Sequence, residues 1–208
     1  MKKTLYLVLI LLAGFACKKD DPVEEDPDFD VTSDYYFAAV IGGEKVVRQE
    51  GVDGYLNGTA FGGGTTPDGY QHAEGMVFLK SFSQDGVVGV YLFKTFTEPP
   101  LDCPKVDGMF HLGAYNFGQA SSSSDSKGKD GVVIYYVDQD GVSWSSGQSP
   151  AMQNGSSFEI TEYTYLVSFT TSKVMKAKFK CTLYDLDGNS KKLAKGEIRS
   201  KCLNCNSY

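Results

Sequence analysis

The 208-residue chain reads as one all-β domain, an antiparallel β-sandwich or an open, barrel-like sheet. Three observations carry that reading. Asp-Gly or Asn-Gly pairs stand at 53–54, 57–58, 68–69, 85–86, 107–108, 130–131, 140–141, 154–155 and 187–188, and such pairs accept the positive φ of tight hairpin turns. The segments between them are rich in β-branched and aromatic residues, which suit a pleated, half-buried surface. No long stretch shows the 3.6-residue apolar spacing of an amphipathic helix.

Taken in order, strands are expected at 35–41, 76–82, 87–96, 109–117, 132–137, 158–171 and 174–186, with a polar loop at 121–129. The Tyr35-Tyr36 and Tyr135-Tyr136 pairs should each place one ring on either face of a strand. The C-terminal hairpin is the most explicit unit. Met175, Ala177, Phe179, Cys181 and Leu183 alternate with Lys176, Lys178 and Lys180, giving an apolar and a basic face. A two-residue turn at Asp187-Gly188 pairs residues whose numbers add to 375. Cys181 then faces Ala194, Phe179 faces Gly196 and Ala177 faces Ile198, small against large.

The N-terminus has a different character. Residues 1–16 hold Lys2 and Lys3, an apolar run from Leu5 to Ala13, and small or apolar residues leading into Cys17. That is a secretory signal, too short for a span of about 20 helical residues. Gly14-Phe15-Ala16-Cys17 resembles the lipobox of bacterial lipoproteins, which implies that Cys17 becomes a lipidated, palmitate-bearing mature N-terminus. Two or more acyl chains make such an anchor stable. Residues 17–30 are acidic and lack a packable pattern, so they read as an extended tether with a reach of about 45 Å. The domain proper is 31–208.

Cys17-Lys18-Lys19-Asp20-Asp21 is similar to the acidic export signal of Bacteroidota surface lipoproteins. The 176–189 segment and Phe37-Ala38-Ala39-Val40-Ile41-Gly42-Gly43 resemble β-sandwich lipoproteins of that group, whose function is unknown. The resemblance implies a lipid-anchored outer-membrane protein facing the cell surface.

Four cysteines remain: Cys103, Cys181, Cys202 and Cys205. An exported location permits disulfides. The hairpin register separates Cys181 from Cys202 by roughly 26 Å, beyond disulfide reach. Two arrangements stay open: 103–181 with 202–205, or Cys103 joined to the tail with Cys181 a buried free thiol. Cys202-Leu203-Asn204-Cys205 lacks the helical setting of a redox motif and the further ligands of a zinc site.

Chemistry is sparse. His72, Glu74 and His111 would supply three metal ligands, and Glu159 with Glu162 a carboxylate pair for hydrolysis, if the fold brought them together. Ser124 and Lys127 match a penicillin-recognising spacing without its companion motifs. Asp185 to Asn189 looks like the start of a calcium loop, but Gly196 stands where the bidentate Glu belongs, so a hairpin turn is expected. No phosphate-cradling glycine loop is present, and neither cofactor nor metal is expected. Trp144, followed by small polar residues, is either a core ring or a stacking platform for a ligand. The sequence thus favours a non-catalytic domain that binds a glycan, host molecule or envelope partner. The alternative is an exported hydrolase or metal-dependent protein built on His72, Glu74 and His111 or an acidic pair.

Charge sharpens the picture. The net charge is −6 and the isoelectric point about 4.9, which excludes general nucleic-acid binding. The total hides +2 in the signal, −5 in the tether, −9 over 31–172 and +6 over 173–208. Lys176, Lys178 and Lys180 therefore have two readings: charges that protect an exposed strand from edge pairing, or contacts for acidic glycans and anionic headgroups.

Overall fold

A computed structural model describes residues 28–65, 70–82, 86–97, 102–119, 130–149, 153–166 and 169–203. The expected signal peptide (1–16), Cys17, most of the expected tether, residues 121–129 and Cys205 lie outside the described residues, as does the side chain of Cys103. The described chain is all-β with one short helix. In order it forms β1 (Tyr36–Ile41), β2 (Glu44–Gln49), β3 (Tyr55–Thr65), β4 (Gln71–Ser81), β5 (Val87–Phe96) and α1 (Cys103–Asp107). There follow β6 (Gly113–Tyr115), β7 (Gly131–Val137), β8 (Ser143–Ser145), β9 (Ser157–Leu166), β10 (Phe169–Tyr184) and β11 (Ser190–Leu203).

These strands make one sheet in the order β2-β1-β11-β10-β8-β7-β5-β4-β3, with β9 on β10 and β6 on β9. The sheet curls until β3 meets β11. Asn57 makes the join: its Nδ2 donates to the Phe78 carbonyl (3.2 Å) and Ser200 Oγ (2.6 Å), and its Oδ1 accepts the Lys201 amide (3.0 Å). Two walls result, packed through one core as in a sandwich and linked through β8 as in an open barrel. The Asn57-Gly58 pair, expected at a turn, instead lies inside β3. Its amide serves closure because a side chain that both donates and accepts can satisfy two strands at once.

The core is filled by side chains from both walls. Phe179 stacks on Phe158 (5.7 Å between centroids) and leans on Phe37 (5.8 Å), beside buried Ile134, Ile160, Met175, Leu183 and Leu193. The C-terminal hairpin keeps the expected faces but corrects one pairing. Tyr184 pairs with Ser190, so the turn spans residues 185–189 and Cys181 faces Leu193, not Ala194. A bulge at Ala194–Lys195, with Lys195 at φ 52°, then restores Phe179 opposite Gly196 and Ala177 opposite Ile198. Gly196 is required there, since a Cβ would lie 2.4 Å from the Phe179 ring. The Asp185 carboxylate organises the turn by accepting the amides of Asp187 (3.0 Å) and Asn189 (2.7 Å), as a hairpin demands.

One end of the barrel is plugged. Asp102 caps α1 by accepting the Lys105 amide, Pro104 fits its first turn, and Gly108 ends it. Met109 and Phe110 follow into the core, both 2% exposed, where the 109–117 strand was expected. Only 113–115 of that segment is strand. Phe110 packs edge-on against Phe61 (5.9 Å) and stacks on Tyr163 (6.1 Å). Gly75 leaves the room, because a Cβ there would sit 2.7 Å from the Phe110 ring.

Candidate functional site

Lys176, Lys178 and Lys180 project outward from β10, as the alternation predicts. β10 is no edge strand, since β9 and β11 flank it, so the edge-protection role falls away. The lysines meet carboxylates across the ladder. Lys176 faces Glu162 and binds Glu197 at 3.0 Å, while Lys178 faces Glu159 and approaches Glu197 at 4.0 Å. Tyr36 also donates its hydroxyl to Glu197. Burial lowers the Lys176 pKa, but the Glu197 carboxylate and Tyr36 outweigh it and raise the value overall. A groove of about 460 Å³ crosses this wall, edged by Glu159, Lys178, Lys180, Lys195 and Glu197, with Phe29 at its border. Mixed charge makes it a self-neutralised surface rather than a basic patch. Glu159 and Glu162 belong to this ladder and do not form an isolated carboxylate pair.

Trp144 is a core ring. It is 6% exposed, donates Nε1–H to Asp138 Oδ2 (2.8 Å), and carries the Lys191 ammonium over its face at 4.1 Å. Lys191 also binds Asp138 at 3.1 Å. Burial opposes the Asp138 charge, but the Trp144, Lys191 and Val142 hydrogen bonds prevail and hold its pKa below the ordinary aspartate value. Nothing of the ring is left for stacking on a ligand. Tyr136 likewise points inward (5% exposed) and Tyr135 outward, as alternation requires. Tyr35 precedes β1 and escapes the alternation; both Tyr35 and Tyr36 meet charged partners on the outer side.

The metal-ligand set does not assemble. His72 and Glu74 share the outer side of β4, whereas His111 follows the plug and bonds through Nδ1 to the Tyr115 hydroxyl (2.9 Å). Among the described residues no group of three His, Cys, Asp or Glu is placed to hold a metal ion. Cys181 and Cys202 are both free, buried thiols. Cys202 pairs with Lys173, eight positions along β10 from Cys181, so the separation inferred from the register holds. Burial pushes the Cys202 thiol up to about 12, with the Asp107 carboxylate adding to it, so this thiol stays protonated and unreactive.

Behind Cys202 lies an ion pair that sequence reasoning missed. Lys173, whose side chain is 8% exposed, binds Asp107 of α1 at 2.7 Å and lies over the Tyr163 ring at 4.5 Å. Tyr163 donates to the same carboxylate (3.2 Å), and burial first, then neighbouring Cys202 and Asp107, drives its pKa upward. The cluster ties the plug to the barrel. The available signal was Asp102 followed by Pro104, a helix-start pattern.

The opposite wall, β3-β4-β5-β7, carries a second feature absent from the candidates. Its outer side holds Met76 and Phe78 of β4, Tyr91 and Phe93 of β5, and Tyr135 of β7. Tyr91 and Phe93 lie nearly parallel (7°, centroids 6.0 Å apart), and Tyr135 meets Tyr91 edge-on at 6.3 Å. β3 contributes almost no side chains there. A Cβ on Gly58 would lie 2.4 Å from the Phe78 ring, and one on Gly62 2.5 Å from the Glu74 carboxylate. Side chains of β4 therefore lie across a glycine strand, an arrangement that shields its backbone. Beyond Phe93 opens a pocket of about 240 Å³ lined by Lys94, His111, Tyr115, Asn116 and Asp130. Burial pushes the Tyr115 hydroxyl up to about 12, so it stays protonated; it accepts the His111 amide (2.6 Å) and lies within 3.0 Å of the Met109 carbonyl. Compared with models of protein families, with curated proteins and with solved structures, the chain has no match.

Proposed function

We propose that this chain is an outer-membrane lipoprotein, anchored through Cys17, that holds a non-catalytic β domain at the cell surface to bind a glycan or an envelope or host partner. The observation that carries the reading is the filled interior. Phe37, Phe158, Phe179 and the aliphatic residues around them occupy the space in which a hollow barrel would hold a ligand, so recognition falls to the outer walls. The N-terminal sequence supplies the anchor, and the tether runs into the domain at Asp28, whose carbonyl accepts a hydrogen bond from Lys45 Nζ (3.0 Å). Labelled palmitate should enter the protein in cells and be lost in Cys17→Ala, and protease added to intact cells should cleave the domain. Labelling that persists in the variant, or full protection in intact cells, would defeat the anchor or the outward orientation respectively.

A further inference from the structure

The aromatic wall and the pocket beside it form one continuous surface. Tyr135, Tyr91 and Phe93 follow one another in centroid steps of 6.3 and 6.0 Å, and Phe93 itself lines the 240 Å³ pocket. Polar groups of complementary kinds converge at that end. His111 is held by Tyr115 through Nδ1, its ring 4.7 Å from the Tyr115 ring. Asp130 uses Oδ1 to accept the Thr95 amide (2.9 Å), which keeps its carboxylate at the pocket edge. Glu74 lies directly across the ladder from Phe93 and makes no hydrogen bond or ion pair to a described residue. That carboxylate lies over Gly62 of β3, so the polar groups beside the two parallel rings are those of the pocket, and they suit a ligand with hydroxyl groups and an apolar face.

The geometry points to a binding site for a neutral glycan chain, with pyranose rings on Tyr91 and Phe93 and one sugar unit entering the pocket. The inference rests on the surface-display reading above and names its ligand class. Sugar rings present C–H faces that pack on aromatic rings, while their hydroxyls donate to carboxylates and accept from amide and imidazole N–H groups. A site of this kind, mostly apolar with a few convergent polar groups, is the usual form of a small-ligand pocket. Charge selects among glycans. Lys94 balances Asp130 within the pocket, so its lining holds no excess positive charge to favour uronate or sulfate groups over neutral sugars. Partly exposed Tyr91 and Phe93 lie outside the core, and their removal leaves the inner packing in place.

The test uses the full-length protein in detergent on an array of neutral gluco-, manno-, galacto- and xylo-oligosaccharides beside uronate-bearing and sulfated ones. Binding is expected to neutral chains, weakened at least tenfold by Phe93→Ala and by Tyr91→Ala, with melting curves near that of the wild type. No binding to any neutral chain overturns the proposal. So does a preference for acidic glycans that Lys178→Glu with Lys180→Glu abolishes and Phe93→Ala spares, which would move the site to the charged groove. Palmitate labelling and protease accessibility judge the display reading separately, so its failure is distinguishable from failure of the glycan site.

Discussion

The two walls of the barrel obey the same alternation and differ in what they turn outward. On β9-β10-β11 the outer residues are charged, and each lysine that faces a carboxylate across the ladder has its partner within the sheet. On β3-β4-β5-β7 the outer residues are largely aromatic, Phe78 and Glu74 lie over glycines of β3, and Glu74 has no hydrogen-bond or ion-pair partner among the described residues. Water already solvates the charged wall well and gains little from being displaced there. Covering the aromatic wall removes apolar surface from water, which favours association at about 25 cal/mol per Å² before the costs of binding are subtracted. The wall with fewer charges is thus the better recognition surface, although the lysines draw attention first.

The comparison can be broken in graded ways. Phe179→Ala attacks the packing behind the charged wall and should cost about 3–5 kcal/mol in urea unfolding, since it empties a stacked core site. A loss below about 1 kcal/mol would show that the two walls do not share a tight core. Asp107→Asn strips the partly exposed counter-charge from buried Lys173 and should cost about 2–3 kcal/mol, somewhat under the value for a fully buried pair. Gly58→Val forces the Phe78 ring off β3; a loss of about 1–2 kcal/mol in thermal or urea unfolding is expected. Lys178→Ala should change stability by no more than about 0.5 kcal/mol, because its ion pair is long and solvated.

A pH dependence probes the Asp138–Trp144–Lys191 cluster. Asp138 has a folded pKa below its unfolded value, so its contribution is complete above about pH 3.9 and disappears as the pH falls through the lowered folded value. Asp138→Asn should flatten that acid limb of the stability profile. An unchanged acid limb in the variant would show that other carboxylates govern it.

Much of the fold was legible because alternation and turn chemistry are local. The spans of β5 and β7 and the inward face of β10 follow directly from their residues. The C-terminal register was legible for Phe179 and Ala177 through two offsetting departures, a turn longer than Asp187-Gly188 alone and a bulge at Lys195. β3 was not legible, because Gly58, Gly62, Gly63 and Gly64 look like turn or loop residues until Phe78 and Glu74 are seen lying over two of them. α1 escaped because five residues show no period. The binding surface escaped for a similar reason, as Tyr91, Phe93 and Tyr135 each read as ordinary strand residues.

The sequence by itself determined the class of fold and which side of each regular strand is apolar, since these depend on neighbours two or three positions apart. Only the tertiary structure decided which strands are neighbours. Curling set Asn57 against Ser200, turned the lysine strand from a supposed edge into an interior strand with facing carboxylates, and buried Trp144 under Lys191. The same curling carried His111 to the end of an aromatic row on β5 and β7. Such contacts join residues far apart along the chain, and no local pattern encodes them.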